Sequence, residues 1–268
     1  MFPRIIAIKK TAKASLQNEW PTAIALGTIV LAFYLVSINL FSFSLYVFST
    51  TAARLLMTVI FCAVVLFIGV PLIMGMLRCF WGMASGSPLK ITEIFYYFSS
   101  GRVYKRLGAF TLSLIGRMLL SSLALLLPSF IIGLISKYSS LLFVNVAEPL
   151  WFSNIWIFEL LLRAIAICCI VYIALRFYLA PFIFIAEEGS DARCVISKAQ
   201  KISKITTGNF TTLIFSLIGW LLLSVFFVPM VFTLPYIIMC YIVHCRYAAV
   251  YYNGKLKTYN ENTVEVIL

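Results

Sequence analysis

The sequence predicts an all-α membrane protein of about six transmembrane helices with both termini cytoplasmic. Three observations carry that prediction. Of the 268 residues, 63% are hydrophobic and only 11% are charged, whereas a soluble domain carries about 45–50% apolar and about 25% charged residues. The apolar residues gather into six runs, most near the ~20 residues a helix needs to cross the hydrocarbon core. The basic residues are segregated between those runs, and that sets an orientation.

The six runs fall at about residues 21–45, 55–77, 107–135, 155–180, 210–228 and 235–252. The first follows a basic N-terminus holding Arg4, Lys9, Lys10 and Lys13. It is too long for the about 7–15 apolar residues of a signal peptide, so it reads as a retained span. Pro229 and Pro235 bracket a short apolar hinge between the fifth and sixth runs, where a re-entrant hairpin is the alternative to two crossings. The chain therefore divides into a basic N-terminal interfacial segment (1–20), one six-helix transmembrane domain (21–252) and a cytoplasmic tail (253–268).

With the N-terminus inside, sixteen Lys and Arg residues lie on inner segments, and only Arg54 and Lys137 lie on outer ones. This is the positive-inside pattern of a bacterial cytoplasmic membrane protein. The net charge of +12, which in a soluble chain would suggest nucleic acid, is read here as orientation, and no nucleic-acid partner is expected. Trp20, Trp81 and Tyr104 sit near inner boundaries and Tyr46, Trp151 and Trp156 near outer ones, as interfacial aromatics do.

Two inner loops read as helices. In the first, Ser87 can cap, Pro88 suits the first helical position, and Gly101 is a stop. Ile91, Ile94, Phe95 and Phe98 then recur at α-helical spacing on one face. In the second, Ser190 caps, Asp191 suits the first turn and Gly208 ends the helix. Val195, Ala199, Ile202 and Thr206 share one face, while Arg193, Ser197, Lys201 and Lys204 share the other. Either this helix lies in the headgroup plane with Arg193, Lys198, Lys201 and Lys204 toward anionic lipid, or it is a connector packed under the bundle. The N-terminal stretch, with Ile5, Ile8, Ala12 and Leu16, has a weaker pattern of the same kind.

These loops carry a family resemblance. Residues 69–98 read GVPLIMGMLRCFWGMASGSPLKITEIFYYF, and residues 176–219 read RFYLAPFIFIAEEGSDARCVISKAQKISKITTGNFTTLIFSLIG, followed by Trp220 and later Pro235-Tyr236. The chain resembles a bacterial membrane family of unknown function, domain of unknown function 975. Members pair a Gly, a short basic loop and a Phe-rich helix with a later acidic loop, a helix, a Gly and a span like Phe215-Ser216-Leu217-Ile218-Gly219-Trp220. The fourth span departs from that pattern, reading AIAICCI where similar chains often carry Pro-Gly. The family is in turn similar to the membrane domain attached to some glycerophosphodiester phosphodiesterases, whose soluble catalytic domain has no counterpart in this sequence. The resemblance implies the six-helix fold and no activity.

Little in the chain points to catalysis. There are nine acidic residues and one histidine, His244, and no HExxH, GxSxG or Walker loop. None of the seven cysteines has CxxC spacing, so free thiols are expected, with no metal and no cofactor. Glu187, Glu188 and Asp191 read as a solvated loop with a helix-start acid. The intramembrane charges are more informative, because a charge at the bilayer centre costs at least about 2.5–3.5 kcal/mol. Arg117 lies in the third run, and Glu159 and Arg163 are spaced i, i+4 on the fourth. Together they suggest either a polar lock fixing helix register or a passage for an anionic solute or lipid.

The expected function is accordingly non-enzymatic. The chain reads as a membrane-embedded accessory protein engaging anionic lipids or a cytoplasmic protein partner through its basic loops. The alternative is a small transporter using Arg117, Glu159 and Arg163.

Overall fold

A computed structural model describes residues 5–17, 19–87, 91–142 and 155–265. Every described element is a helix. In chain order these are α1 (Ile5–Leu16), α2 (Trp20–Val47), α3 (Thr51–Val64), a π-helical turn (Val65–Gly69), α4 (Val70–Ala84) and a 3₁₀ helix (Ile91–Phe98). There follow α5 (Gly101–Leu142), α6 (Ile155–Phe177), α7 (Ala180–Ala186), α8 (Ala192–Ser216), α9 (Ile218–Leu223) and α10 (Phe227–Glu265).

Among the described residues, four helical stretches are long and apolar enough to cross a membrane: Trp20–Val47, Thr51–Ala84, Arg163–Ala186 and Pro229–Asn253. The predicted run at 107–135 lies within the 42-residue α5. The run at 210–228 departs from expectation, because it does not form one helix. Its first part completes α8, the chain breaks at Leu217, and α9 supplies six more residues before a turn leads into α10.

The chain forms two compact units. The first, residues 1–111 and 179–268, holds most of the core. Its centre is α4, which buries nine of its fifteen residues, and α7, which buries five of seven. Against them lie one face each of α8 and α10, with Met239, Ile242 and Val243 of α10 at most 3% exposed. Helix α3, by contrast, buries none of its residues. It lies along α2, where Phe41 and Phe61 stack with centroids 4.4 Å apart. The second unit, residues 112–178, comprises most of α5 together with α6. Its α5 hydroxyls turn back on their own helix, Ser121 donating to the Arg117 carbonyl at 2.8 Å and Ser122 to the Met118 carbonyl at 2.7 Å.

The basic N-terminal stretch docks into the first unit. Ile8, Ala12 and Leu16 of α1 are at most 1% exposed and pack mainly on α10. The Lys9 ammonium donates to the Ser216 carbonyl at 2.7 Å. A helix end leaves its last carbonyls without intrahelical donors, and Lys9 caps one of them where α8 breaks.

A proline explains a second long-range bond. Pro71 has no N–H to give the carbonyl four residues earlier, which is that of Phe67 in the π-helical turn. The Tyr104 phenol donates to that carbonyl at 2.9 Å instead.

Candidate functional site

The densest polar arrangement in the first unit surrounds the loop 187–191 between α7 and α8. Gly189 turns the chain with φ +104°, in the region that glycine populates without steric cost. Asp191, at φ −64° and ψ 144°, occupies the N-cap position of α8 without a side-chain capping bond. Three cations from three other elements converge on this loop. Arg78 of α4 forms an ion pair with Glu188, and its guanidinium lies 3.8 Å from the centroid of Tyr96. Lys198 of α8 pairs with Glu187. Arg106 of α5 donates to two backbone carbonyls, those of Glu187 at 2.6 Å and Ser190 at 3.3 Å, while lying 4.6 Å from the Phe184 ring centroid.

An aromatic layer supports these cations. Phe184 stacks on Phe110 with centroids 4.4 Å apart and on Tyr97 at 6.2 Å. Tyr97 is 3% exposed, and burial pushes its phenol up to about 12. The whole layer depends on a close approach of backbones. An ideal Cβ at Gly75 of α4 would lie 1.9 Å from the Ile94 carbonyl oxygen, so only a residue without a side chain lets the 3₁₀ helix reach α4.

That 3₁₀ helix corrects one expectation. With 3.0 residues per turn, positions three apart eclipse. Ile94 and Tyr97, one such turn apart, are the buried pair, while Ile91 at the helix start, Phe95 and Phe98 are 44%, 54% and 40% exposed. The α-helical face of Ile91, Ile94, Phe95 and Phe98 does not exist. The predicted proline start, Pro88, lies outside the described residues.

Helix α8 corrects two more. It runs through Gly208 to Ser216, with the Thr211 and Thr212 hydroxyls both donating to the Gly208 carbonyl at 2.8 Å. The apolar stretch beyond Gly208 is itself helical, so the glycine sits inside the helix and does not end it. The apolar face, Val195, Ala199, Ile202 and Thr206, is at most 1% exposed and packs on α7 and α10. The predicted basic set divides accordingly. Arg193, Lys201 and Lys204 are exposed with no ion pair or side-chain hydrogen bond among the described residues, whereas Lys198 is turned to Glu187. Glu187 and Glu188 each hold a cation, and Glu188 remains exposed as a solvated loop residue.

In the second unit, Arg117 is half-buried on α5 and Arg163 exposed on α6. The third member of the predicted set, Glu159, stands on α6 with its side chain outside the described residues. His244 of α10 is fully buried, 5.4 Å from the Phe210 ring. Among the described residues, no three His, Cys, Asp or Glu side chains gather as a metal site requires.

Sequence reasoning missed Arg78, Arg106, Tyr96, Tyr97 and Phe184 as members of one site. Arg78 and Arg106 counted only as inner loop charges, although each abuts an apolar run at the same predicted level as Glu187 and Glu188. That shared level was the available signal.

Among the described residues every element is helical and four stretches are long and apolar enough to cross a membrane, the makeup of the α-helical membrane-protein class. Within that class, the chain belongs to the family described as "Protein of unknown function (DUF975)", whose model matches residues 1–252, as the motifs of residues 69–98 and 176–219 implied. No curated protein matches the chain, and no solved structure matches it.

Proposed function

We propose that this protein is a non-enzymatic accessory component of a bacterial cytoplasmic membrane, crossing it six times with both termini inside. It engages anionic lipid headgroups through one side of α8. The observation that carries this reading is the division of α8 into two faces. One is buried in the fold, and the other presents Arg193, Lys201 and Lys204 without partners among the described residues. Each basic residue near an anionic surface contributes about 1 kcal/mol, and the attraction weakens with salt.

The test is lipid retention, read by native mass spectrometry of protein purified from membranes holding both anionic phosphatidylglycerol and zwitterionic phosphatidylethanolamine. Replacing Arg193, Lys201 and Lys204 together by Gln is expected to lower the preference for the anionic lipid at least about tenfold. Lys198→Gln is expected to leave that preference intact and to lower thermal stability, because it leaves Glu187 without its cation. An unchanged lipid preference in the triple variant would overturn the proposal. Loss of a co-purifying protein alone would point to a cytoplasmic partner. Solute or lipid flux abolished by Arg117→Ala would point to a passage through the second unit.

A further inference from the structure

We propose that two copies of this chain pair in the membrane through the face of α2 turned away from α3. One face of α2 is already used. Ala23, Val30 and Ser37 are buried along it, and Ser37, Phe41 and Ser44 line a cavity shared with α3. On the opposite face Thr28, Ala32, Leu35, Asn39, Ser42 and Tyr46 are all exposed. Their spacing is 4, 3, 4, 3 and 4 residues, the alternation that keeps a seam facing a partner helix in left-handed packing.

Side-chain chemistry distinguishes this seam from an ordinary lipid-facing stripe. Asn39 lies in a helix otherwise apolar enough to span a membrane. One amide hydrogen is bound, Nδ2 donating to the Leu35 carbonyl at 2.7 Å. An asparagine amide offers a second N–H and an oxygen with two lone pairs, and acyl chains can bond neither. Unmet polar groups in hydrocarbon favour contact with another helix, and small neighbours let backbones approach. Ala32 and Ser42 flank Asn39 at seven and three residues and are small.

The occupant is a second copy because the seam complements itself. No Asp, Glu, Lys or Arg stands between Glu19 and Arg54, so the face holds nothing for a charged partner to match. An amide carries both donor and acceptor, so at a two-fold axis Asn39 completes Asn39. Two copies inserted the same way are parallel, and parallel heptad seams place each residue level with its own equivalent.

The test is oxidative cross-linking of the full-length chain in native membranes. Ser42→Cys is expected to give a disulfide-linked species of twice the 30.2 kDa chain mass. Leu40→Cys, 64% exposed but about a third of a turn off the seam, is expected not to. Adding Asn39→Leu to the Ser42→Cys chain is expected to weaken pairing about three- to thirty-fold. That change makes the span more apolar, so insertion is not at stake, and Asn39→Gln is expected to restore pairing. Equal cross-linking at Leu40→Cys, pairing unaffected by Asn39→Leu, or cross-linking of Ser42→Cys to a different protein would each overturn the proposal.

Discussion

Gly75→Ala is expected to abolish the stably folded protein. The added Cβ would sit 1.9 Å from the Ile94 carbonyl oxygen, 2.7 Å from its carbon and 3.0 Å from its Cα. All three atoms are backbone, so no rotamer change relieves the clash. The 3₁₀ helix must move off α4, withdrawing Ile94 and Tyr97 from the core and Tyr96 from Arg78. Ordinary overpacking costs about 1–3 kcal/mol. Here the displaced contacts add to that, and a loss of about 4 kcal/mol or more is expected, among the largest single-residue effects. Thermal unfolding in detergent and the yield of monodisperse protein are the measurements. Gly108→Ala in α5 is the control, because a Cβ there meets nothing within 4 Å and alanine favours the helix by up to about 1 kcal/mol. A Gly75→Ala protein as stable as the parent would refute the close approach.

Phe184→Ala is expected to have the next largest effect. The ring is 2% exposed, stacks on Phe110 and lies beneath the Arg106 guanidinium. Truncating a buried phenylalanine costs about 3–5 kcal/mol, and the lost cation–π contact adds about 0.5–2 kcal/mol. Phe184→Leu should recover much of the packing but not the cation–π share. A double-mutant cycle with Arg106→Ala separates the two, since residues in direct contact couple where distant ones add. Zero coupling would show that Arg106 holds the loop 187–191 through the Glu187 and Ser190 carbonyls alone.

The parts of this fold legible in the sequence are those set by composition over ~20 residues. The run beginning after Glu19 becomes α2, and the run beginning near Leu55 becomes α3 and α4, because apolarity over that length is a local property. The basic stripe of α8 was legible for the same reason, its period being 3.6. What escaped depends on partners far along the chain. Lys198 counted as a free base because nothing local marks Glu187, eleven residues earlier, as its partner. The partner of Glu188 escaped because Arg78 lies 110 residues away. The 3₁₀ helix could not be told from an α-helix, since Ile91, Ile94, Phe95 and Phe98 fit the α period as well as Ile94 and Tyr97 fit the tighter one. The close approach at Gly75 was equally hidden, since its meaning appears only when Ile94 is beside it.

The docking of α1 also bears on how the protein is made. Ile8, Ala12 and Leu16 leave the ribosome well before the α10 surface that covers them. At about 5–20 residues per second, roughly 10–50 s separate the two. During that interval the apolar side that α10 will cover is open on a short basic helix, and the membrane surface is the natural place for it to wait. The Lys9 bond to Ser216 can close only after the chain has returned from 207 residues further on, so α1 settles later than segments made after it.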